Sequence, residues 1–269
     1  MMWLGTSYGL NRYDGSRFTV YRKENSHLCD NVIVEIAEDH RQQLWIATSN
    51  GLSKYDLNTH RFESYFFNNQ THLQNAFSSV VCCGDTILLG TENGVLIFDA
   101  KKSQFARRIQ PVGSDGANRI TKIYKDSKQR IWLCTYNGLW QYNLMTGNSE
   151  VPCSKSGVSD PLKHELVNDI IEMPEDNFWV GTWSKGLFSF NVNSPQPKSW
   201  LQIKGSHTNV ITLAKLQNEQ HITELWLSNT LSTLHIENRS VEIRDFFGNS
   251  PYPDINVHKL YTDRHNMLW

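Results

Sequence analysis

The side chains able to do chemistry are plentiful in this sequence, but they are not gathered for a reaction. Ten histidines (His27, His40, His60, His72, His164, His207, His221, His235, His258 and His265) are spread through 269 residues with no metal-ligand spacing. There is no His-Glu-x-x-His, no Gly-x-Ser-x-Gly turn and no glycine-rich phosphate loop. The five cysteines (Cys29, Cys82, Cys83, Cys134 and Cys153) are odd in number and fit no zinc or redox motif. They read as small, semi-buried side chains. Asp14, Asp56 and Asp99 resemble acid–base carboxylates only superficially. Each follows an aromatic at the end of a repeat, where an aspartate caps a turn. No catalysis, cofactor or metal is therefore expected of this chain.

Recognition without reaction fits the residues better. Tyr8, Asn50, Asn93, Tyr136, Asn137, Trp183 and Lys185 fall in short turns, and His72, His164 and His207 fall in longer connections. Aromatic faces stack on the C–H faces of sugar rings, and amides, imidazoles and an ammonium pair with hydroxyls. These ten residues form the candidate ligand-binding rim. Asn50, Asn93 and Asn137 also admit a conformational explanation, because asparagine tolerates left-handed backbone. Trp183 is not needed for turn geometry; it either binds something or packs on a neighbouring element. The longest connection, 150–167, carries Pro152, Cys153, Lys155, Gly157 and Pro161, and long loops on rigid scaffolds often serve function.

The elements that must position these residues show themselves as a repeat. Trp3, Trp45, Trp132, Trp179, Trp226 and Trp269 each follow an apolar residue, and Leu88 takes the Trp place once. The steps between these anchors are 42, 43, 44, 47, 47 and 43 residues. Two residues after the anchor stands a small residue (Gly5, Ala47, Gly90, Cys134, Gly181, Ser228), then Thr6, Thr48, Thr91, Thr135 and Thr182. A glycine follows (Gly9, Gly51, Gly94, Gly138, Gly186), then an aromatic four residues later. Residues two apart share one face of a strand, so Trp and the small residue form a large–small pair suited to interlocking with the next sheet. Leu44 and Ile46 make the other face apolar too, as stacking on both sides requires. Strands are expected at 31–37, 44–48, 52–55 and 62–66, and equivalents of the second at 131–135 and 178–182. The fold expected is all-β: a β-propeller of about six four-stranded blades of ~43 residues, in one domain over 1–269. The first unit lacks its leading strand and the last has only that strand, near 255–261. The ends either complete one blade together or belong to an incomplete seven-bladed propeller. Ala47→Leu should overpack this large–small pair.

Charge is balanced, 26 basic against 27 acidic residues, which argues against a nucleic-acid partner. The sequence has no run of 18 apolar residues, the length that would suggest a membrane span, and the first residues lack the basic start and apolar stretch of a signal peptide.

Leu44-Trp45-Ile46-Ala47-Thr48-Ser49-Asn50-Gly51-Leu52 and Ile131-Trp132-Leu133-Cys134-Thr135-Tyr136-Asn137-Gly138-Leu139 resemble the two-component regulator propeller repeat, with Gly9 to Gly15 similar to the first blade of such proteins. The resemblance runs through the chain, with departures: Leu88 replaces Trp, the turn at Trp183-Ser184-Lys185 has one extra residue, and the copy at Trp226 loses Thr and Gly. It implies the first periplasmic propeller of a hybrid two-component sensor of the Bacteroidetes kind, recognising an oligosaccharide. A second propeller and histidine kinase modules would then lie elsewhere in a longer chain, and a homodimer is open. The implied location is the periplasm. Two other functions compete: a propeller lyase or hydrolase acting on a sugar or lactone, and a protein-interaction scaffold.

Overall fold

The computed structural model describes residues 1–67, 72–110, 118–152, 162–173, 176–193, 209–217, 223–227, 232–237, 240–245, 259–262 and 267. Side chains are described for these except 72, 73, 217 and 223–245. Strands dominate. β1 (Met2–Thr6), β2 (Gly9–Tyr13) and β3 (Phe18–Tyr21) form a three-stranded sheet. β4 (Ile33–Glu38), β5 (Gln43–Thr48), β6 (Gly51–Asp56) and β7 (Arg61–Tyr65) form a four-stranded one in chain order. So do β8 (Ser79–Cys83), β9 (Thr86–Thr91), β10 (Gly94–Asp99) and β11 (Gln104–Ile109), after a single helical turn, α1 (His72–Asn75). β12 (Ile120–Lys125), β13 (Ile131–Thr135), β14 (Gly138–Tyr142) and β15 (Ser149–Glu150) follow the same order. β16 (Val167–Glu172), β17 (Asn177–Thr182) and β18 (Leu187–Asn191) make the next sheet. The last contains β19 (Leu213–Gln217), β20 (Thr223–Leu227), β21 (Ser232–Glu237) and β22 (Ser240–Asp245). No described helix is long and apolar enough to cross a membrane.

Among the described residues six sheets at the expected period match the repeat, with strand ends within about two residues of those expected. The first sheet lacks a leading strand, as its sequence does. The copy at Trp226, which loses the Thr and Gly, still pairs β20 with β21, but with Trp226 opposite Thr233, seven residues on, where Trp45 stands opposite Lys54, nine on. The strand expected near 255–261 falls largely outside the described residues, and so does the question of how the ends close.

The chain forms two compact units, residues 1–123 with 144–149, and residues 124–143 with 150–269. In the first, β5 is buried on both faces, and the two faces serve different neighbours. Trp45 and Ala47 join Val80, Ile87, Leu89 and Phe98 of the following sheet. Leu44 and Ile46 join Leu10, with Trp3 and Tyr21 of the preceding sheet packed against them. The anchor Trp of one sheet meets the closing aromatic of the next: Trp3 on Tyr55 at 5.0 Å and Trp45 on Phe98 at 5.3 Å between ring centroids. In the second unit Trp132 meets Phe190 at 5.7 Å and Phe178 at 4.7 Å. The small residue is needed because the start of the next sheet, its leading strand or the residues just before it, presses on it. A Cβ on Gly181 would lie 2.7 Å from Val210 Cγ1, and one on Gly5 would lie 2.5 Å from Ile33 Cγ2. Ala47→Leu is therefore expected to overpack the same kind of seam and cost ~1–3 kcal/mol, read as a lowered urea midpoint with an unchanged slope. A midpoint equal to that of the parent would show that the seam is not close-packed there.

The leading strands expose an open edge, and side chains from the preceding sheet cover it. Glu35 accepts from Val80 N (2.9 Å) and Ser79 Oγ (2.5 Å), and Ser79 Oγ accepts from Ile123 N (3.0 Å). In the second unit Asp169 accepts from Leu213 N (2.8 Å) and Thr212 Oγ1 (3.0 Å). Backbone N–H groups that would otherwise be buried without a partner are satisfied at one repeat spacing.

Candidate functional site

The Thr-x-x-Gly turns owe their form to the threonine. In each, the hydroxyl donates to the glycine carbonyl and accepts from a backbone N–H inside the turn. Thr48 Oγ1 donates to Gly51 O (2.7 Å) and accepts from Asn50 N (3.2 Å). Thr91 does the same with Gly94 and Asn93, Thr6 with Gly9 and Tyr8, and Thr135 with Gly138 and Asn137. The extra residue at Trp183-Ser184-Lys185 changes only the span: Thr182 Oγ1 still donates to Gly186 O (2.7 Å) and accepts from Lys185 N (3.2 Å). Positive φ falls on Gly9, Gly51, Gly94, Gly138 and Gly186, and not on Asn50, Asn93 or Asn137. Tolerance of left-handed backbone is thus not what places these asparagines, and their amides are free to be chosen for other ends.

The aspartates that follow the closing aromatics cap turns. Asp14 accepts from Ser16 N and Arg17 N, Asp56 from Asn58 N and Thr59 N, and Asp99 from Lys101 N and Lys102 N. The Thr59 N–H holds the Asp56 carboxyl below the usual carboxylate range, and the Lys102 N–H does the same for Asp99.

In the second unit several predicted residues come together. The connection 162–166 crosses two turns. At the turn of β13 and β14, Glu165 O accepts from Gly138 N (2.8 Å), and His164 Nδ1 lies 2.9 Å from Asn137 Oδ1. At the turn of β17 and β18, Leu166 O accepts from Trp183 N (2.9 Å). The Glu165 side chain, buried, accepts from Ser184 N (3.0 Å) and Ser184 Oγ (2.8 Å) and pairs with Lys185 Nζ (3.3 Å). One residue thereby ties both turns to one connection: the Glu165 carbonyl holds the first and its buried carboxylate the second. Around it Tyr136 stays 40% exposed and Trp183 55% exposed, with His164 and Lys185 also at the surface. His164 holds a φ of 63°, a left-handed conformation that a non-glycine residue adopts at some cost. Trp183 packs its backbone and leaves its ring open, so its indole is not part of the core.

In the first unit Tyr8, 76% exposed, and the exposed Asn93 and half-buried Asn50 stand one per sheet at equivalent turns. Tyr8 O accepts from Arg22 Nε at 3.0 Å. The side chain of His72 and the whole of His207 lie outside the described residues, as does Cys153. Glu165 and Ser184 were not visible to sequence reasoning. Neither occupies a repeated position, and their partners lie in another turn of the chain. The one available signal was the length of the connection itself.

Residues 114–137 match the two component regulator propeller repeat. No curated protein matches the chain by sequence. Among solved structures, the extracellular domain of BT4673 from B. thetaiotaomicron, described as a hybrid two component system, is 22% identical with a TM-score of 0.72 and covers 99% of this chain and 34% of its own. The corresponding domain of BT3049 from the same organism is 17% identical, TM-score 0.63, over 99% of this chain and 41% of its own. PorZ of Porphyromonas gingivalis, a surface component of the type-IX secretion system, is 16% identical, TM-score 0.67, over 93% of this chain and 37% of its own. The chain spans well under half the length of each. In fold this chain is a β-propeller repeat protein similar to those extracellular domains, and it carries the two component regulator propeller repeat at residues 114–137.

Proposed function

We propose that this chain is the ligand-sensing propeller module, one domain over 1–269, of an extracytoplasmic two-component sensor. It takes an oligosaccharide at the turns bearing Tyr136, Asn137, His164, Trp183 and Lys185, and leaves it chemically unchanged. The observation that carries this reading is the pairing of exposed rings with a rigid polar frame: Trp183 and Tyr136 stay open beside turns that the buried Glu165 locks together. A site whose polar groups are held by packing loses little entropy when a ligand arrives. The similarity to sensor extracellular domains supports the signalling role and the periplasmic location. On this reading a second propeller and kinase modules belong to the parent protein. In the first unit Tyr8, Asn50 and Asn93 stand at equivalent turns as a candidate surface of that unit.

The test is calorimetry with a panel of glycan fragments, with product analysis alongside. Trp183→Ala should weaken binding by about 1–3 kcal/mol, while circular dichroism and the urea midpoint stay unchanged. Cleavage of any fragment would transfer the chain to the enzyme reading. Binding indifferent to Trp183, Tyr136 and Asn137 would remove the site from these turns.

A further inference from the structure

The first unit contains an arginine whose charge no described residue answers. Arg108 is half-buried on β11, and its Nε is fully buried without a hydrogen-bond partner. Its guanidinium carbon sits 5.1 Å from the centre of the Phe67 ring. No described acid lies within ion-pair distance of it. Burial lowers its affinity for the proton, with no carboxylate acting in the other direction. The other aromatic-stacked arginine behaves differently: Arg130, over Trp132 and Phe178, is paired with Asp126 at 2.5 Å and Asp176 at 2.7 Å. The more exposed Arg119 has Glu92 at 3.1 Å. Arg12, whose Nε is also buried and unsatisfied, lies beside the Tyr55 hydroxyl instead.

A local irregularity aims Arg108. Phe98 stands opposite Phe105 and Ile97 opposite Arg107, so Ala106 is an extra residue in β11. Without this bulge, Phe105 and Arg108, three apart, would point to opposite faces. With it they share a face, and Phe105 meets Phe67 at 5.5 Å edge to face. Asn75 Oδ1 accepts from Phe67 N at 2.7 Å and fixes that residue in turn. Bulges that redirect a side chain are found beside functional sites. Phe66 and Phe67 are themselves partly exposed. Arg108 lies near the end of β11, beside Ile109, which pairs with Val95 next to the Thr91–Gly94 turn, so it shares that end of the sheet with Asn93.

We propose that Arg108, stacked on Phe67, is the seat for an anionic group of a bound saccharide, a uronate carboxylate or a sulfate ester. The guanidinium offers paired N–H donors that match either group. The saccharide class rests on the sensor reading above; the anion seat does not, and the two are separable by experiment.

The probes are tetragalacturonate, its fully methyl-esterified counterpart and inorganic sulfate, titrated calorimetrically into the full chain. The free acid should bind at least 10-fold more tightly than the ester, and sulfate should compete with it. Arg108→Gln should abolish that preference, whereas Arg107→Gln at the exposed neighbouring position should leave the preference intact. Phe67→Leu should weaken the acid without equalising acid and ester. Circular dichroism and urea midpoints check that each variant is folded. Sulfate binding that Arg108→Gln abolishes, while neither oligosaccharide binds, would keep the anion seat and overturn the saccharide class. A preference for the acid that survives Arg108→Gln, or acid and ester binding alike to the parent, or no anion binding at all, would overturn the assignment.

Discussion

Trp45→Ala is expected to destabilise the first unit by roughly 3–5 kcal/mol. The indole is 0% exposed and fills the seam between two sheets, touching Phe98, Tyr65 and the aliphatic residues Val80, Ile87 and Leu89. Truncation removes that contact area and leaves a cavity that two flanking sheets, each held by its own ladder, cannot collapse to fill. It also removes a polar contact: Trp45 Nε1 donates to Asp39 Oδ2 at 2.8 Å, and the other oxygen of Asp39 accepts from Arg41 N and Gln43 N. Trp45→Phe separates the two losses. It keeps most of the ring volume but strips one donor from a buried carboxylate, and should cost about 1–3 kcal/mol. The measurement is the urea midpoint of each variant. Near-equal shifts for Ala and Phe would mean that the hydrogen bond, not the packing, carries the tryptophan's contribution. Negligible shifts for both would remove the seam from the account of stability.

Most of the fold was legible because a repeated architecture repeats its physical demands. The Trp and its small partner recur because each seam needs a large side chain and a matching hollow, and Thr-x-x-Gly recurs because each turn uses the same hydroxyl bridge. Leu88 could replace Trp without losing the phase, since it is as deeply buried as Trp45. Other features left no such trace. Glu35, Ser79 and Asp169 bond to strands one whole repeat away, and their types differ from blade to blade because any acceptor of suitable reach will do. Of the candidate site, the turn aromatics and amides were legible as residues that turn geometry does not require. Glu165 was not, because its role comes from the crossing of a connection over two turns. Arg108 was hidden by a bulge, which breaks the alternation from which facing is read.

Asp126→Ala should be the costliest polar substitution in the second unit, at about 3 kcal/mol or more. The carboxylate is completely buried and all its capacity is used. Oδ1 accepts from Lys128 N and Arg130 N, both at 2.9 Å, and Oδ2 accepts from Trp132 Nε1 at 2.9 Å and Arg130 Nε at 2.5 Å. Its removal orphans two backbone donors and the indole N–H at once, and leaves the Arg130 charge, mostly buried over Trp132 and Phe178, to Asp176 and the more distant Glu172 at 3.8 Å. Asp39 provides the control. It caps the equivalent turn and binds Trp45 in the same way, but no described cation is paired with it, so Asp39→Ala should cost less, about 1–3 kcal/mol. The difference between the two measures what the arginine adds. Asp126→Asn should fall between alanine and the parent, since one amide oxygen can still cap the turn while the amide nitrogen faces the indole donor. Acid should single out the same cluster. Hydrogen bonds from Lys128 first, then Arg130 and Asn193, hold Asp176 down to about 2. A carboxyl depressed in the folded state contributes stability above its ordinary value near 4 and loses it as the pH falls through the folded value. The parent should therefore lose part of its urea midpoint between about pH 4 and pH 2, and Asp176→Asn should lose less over the same interval. If Asp39→Ala and Asp126→Ala cost the same, Arg130 is held by packing on its two rings, and the ion pairs around it are incidental to stability.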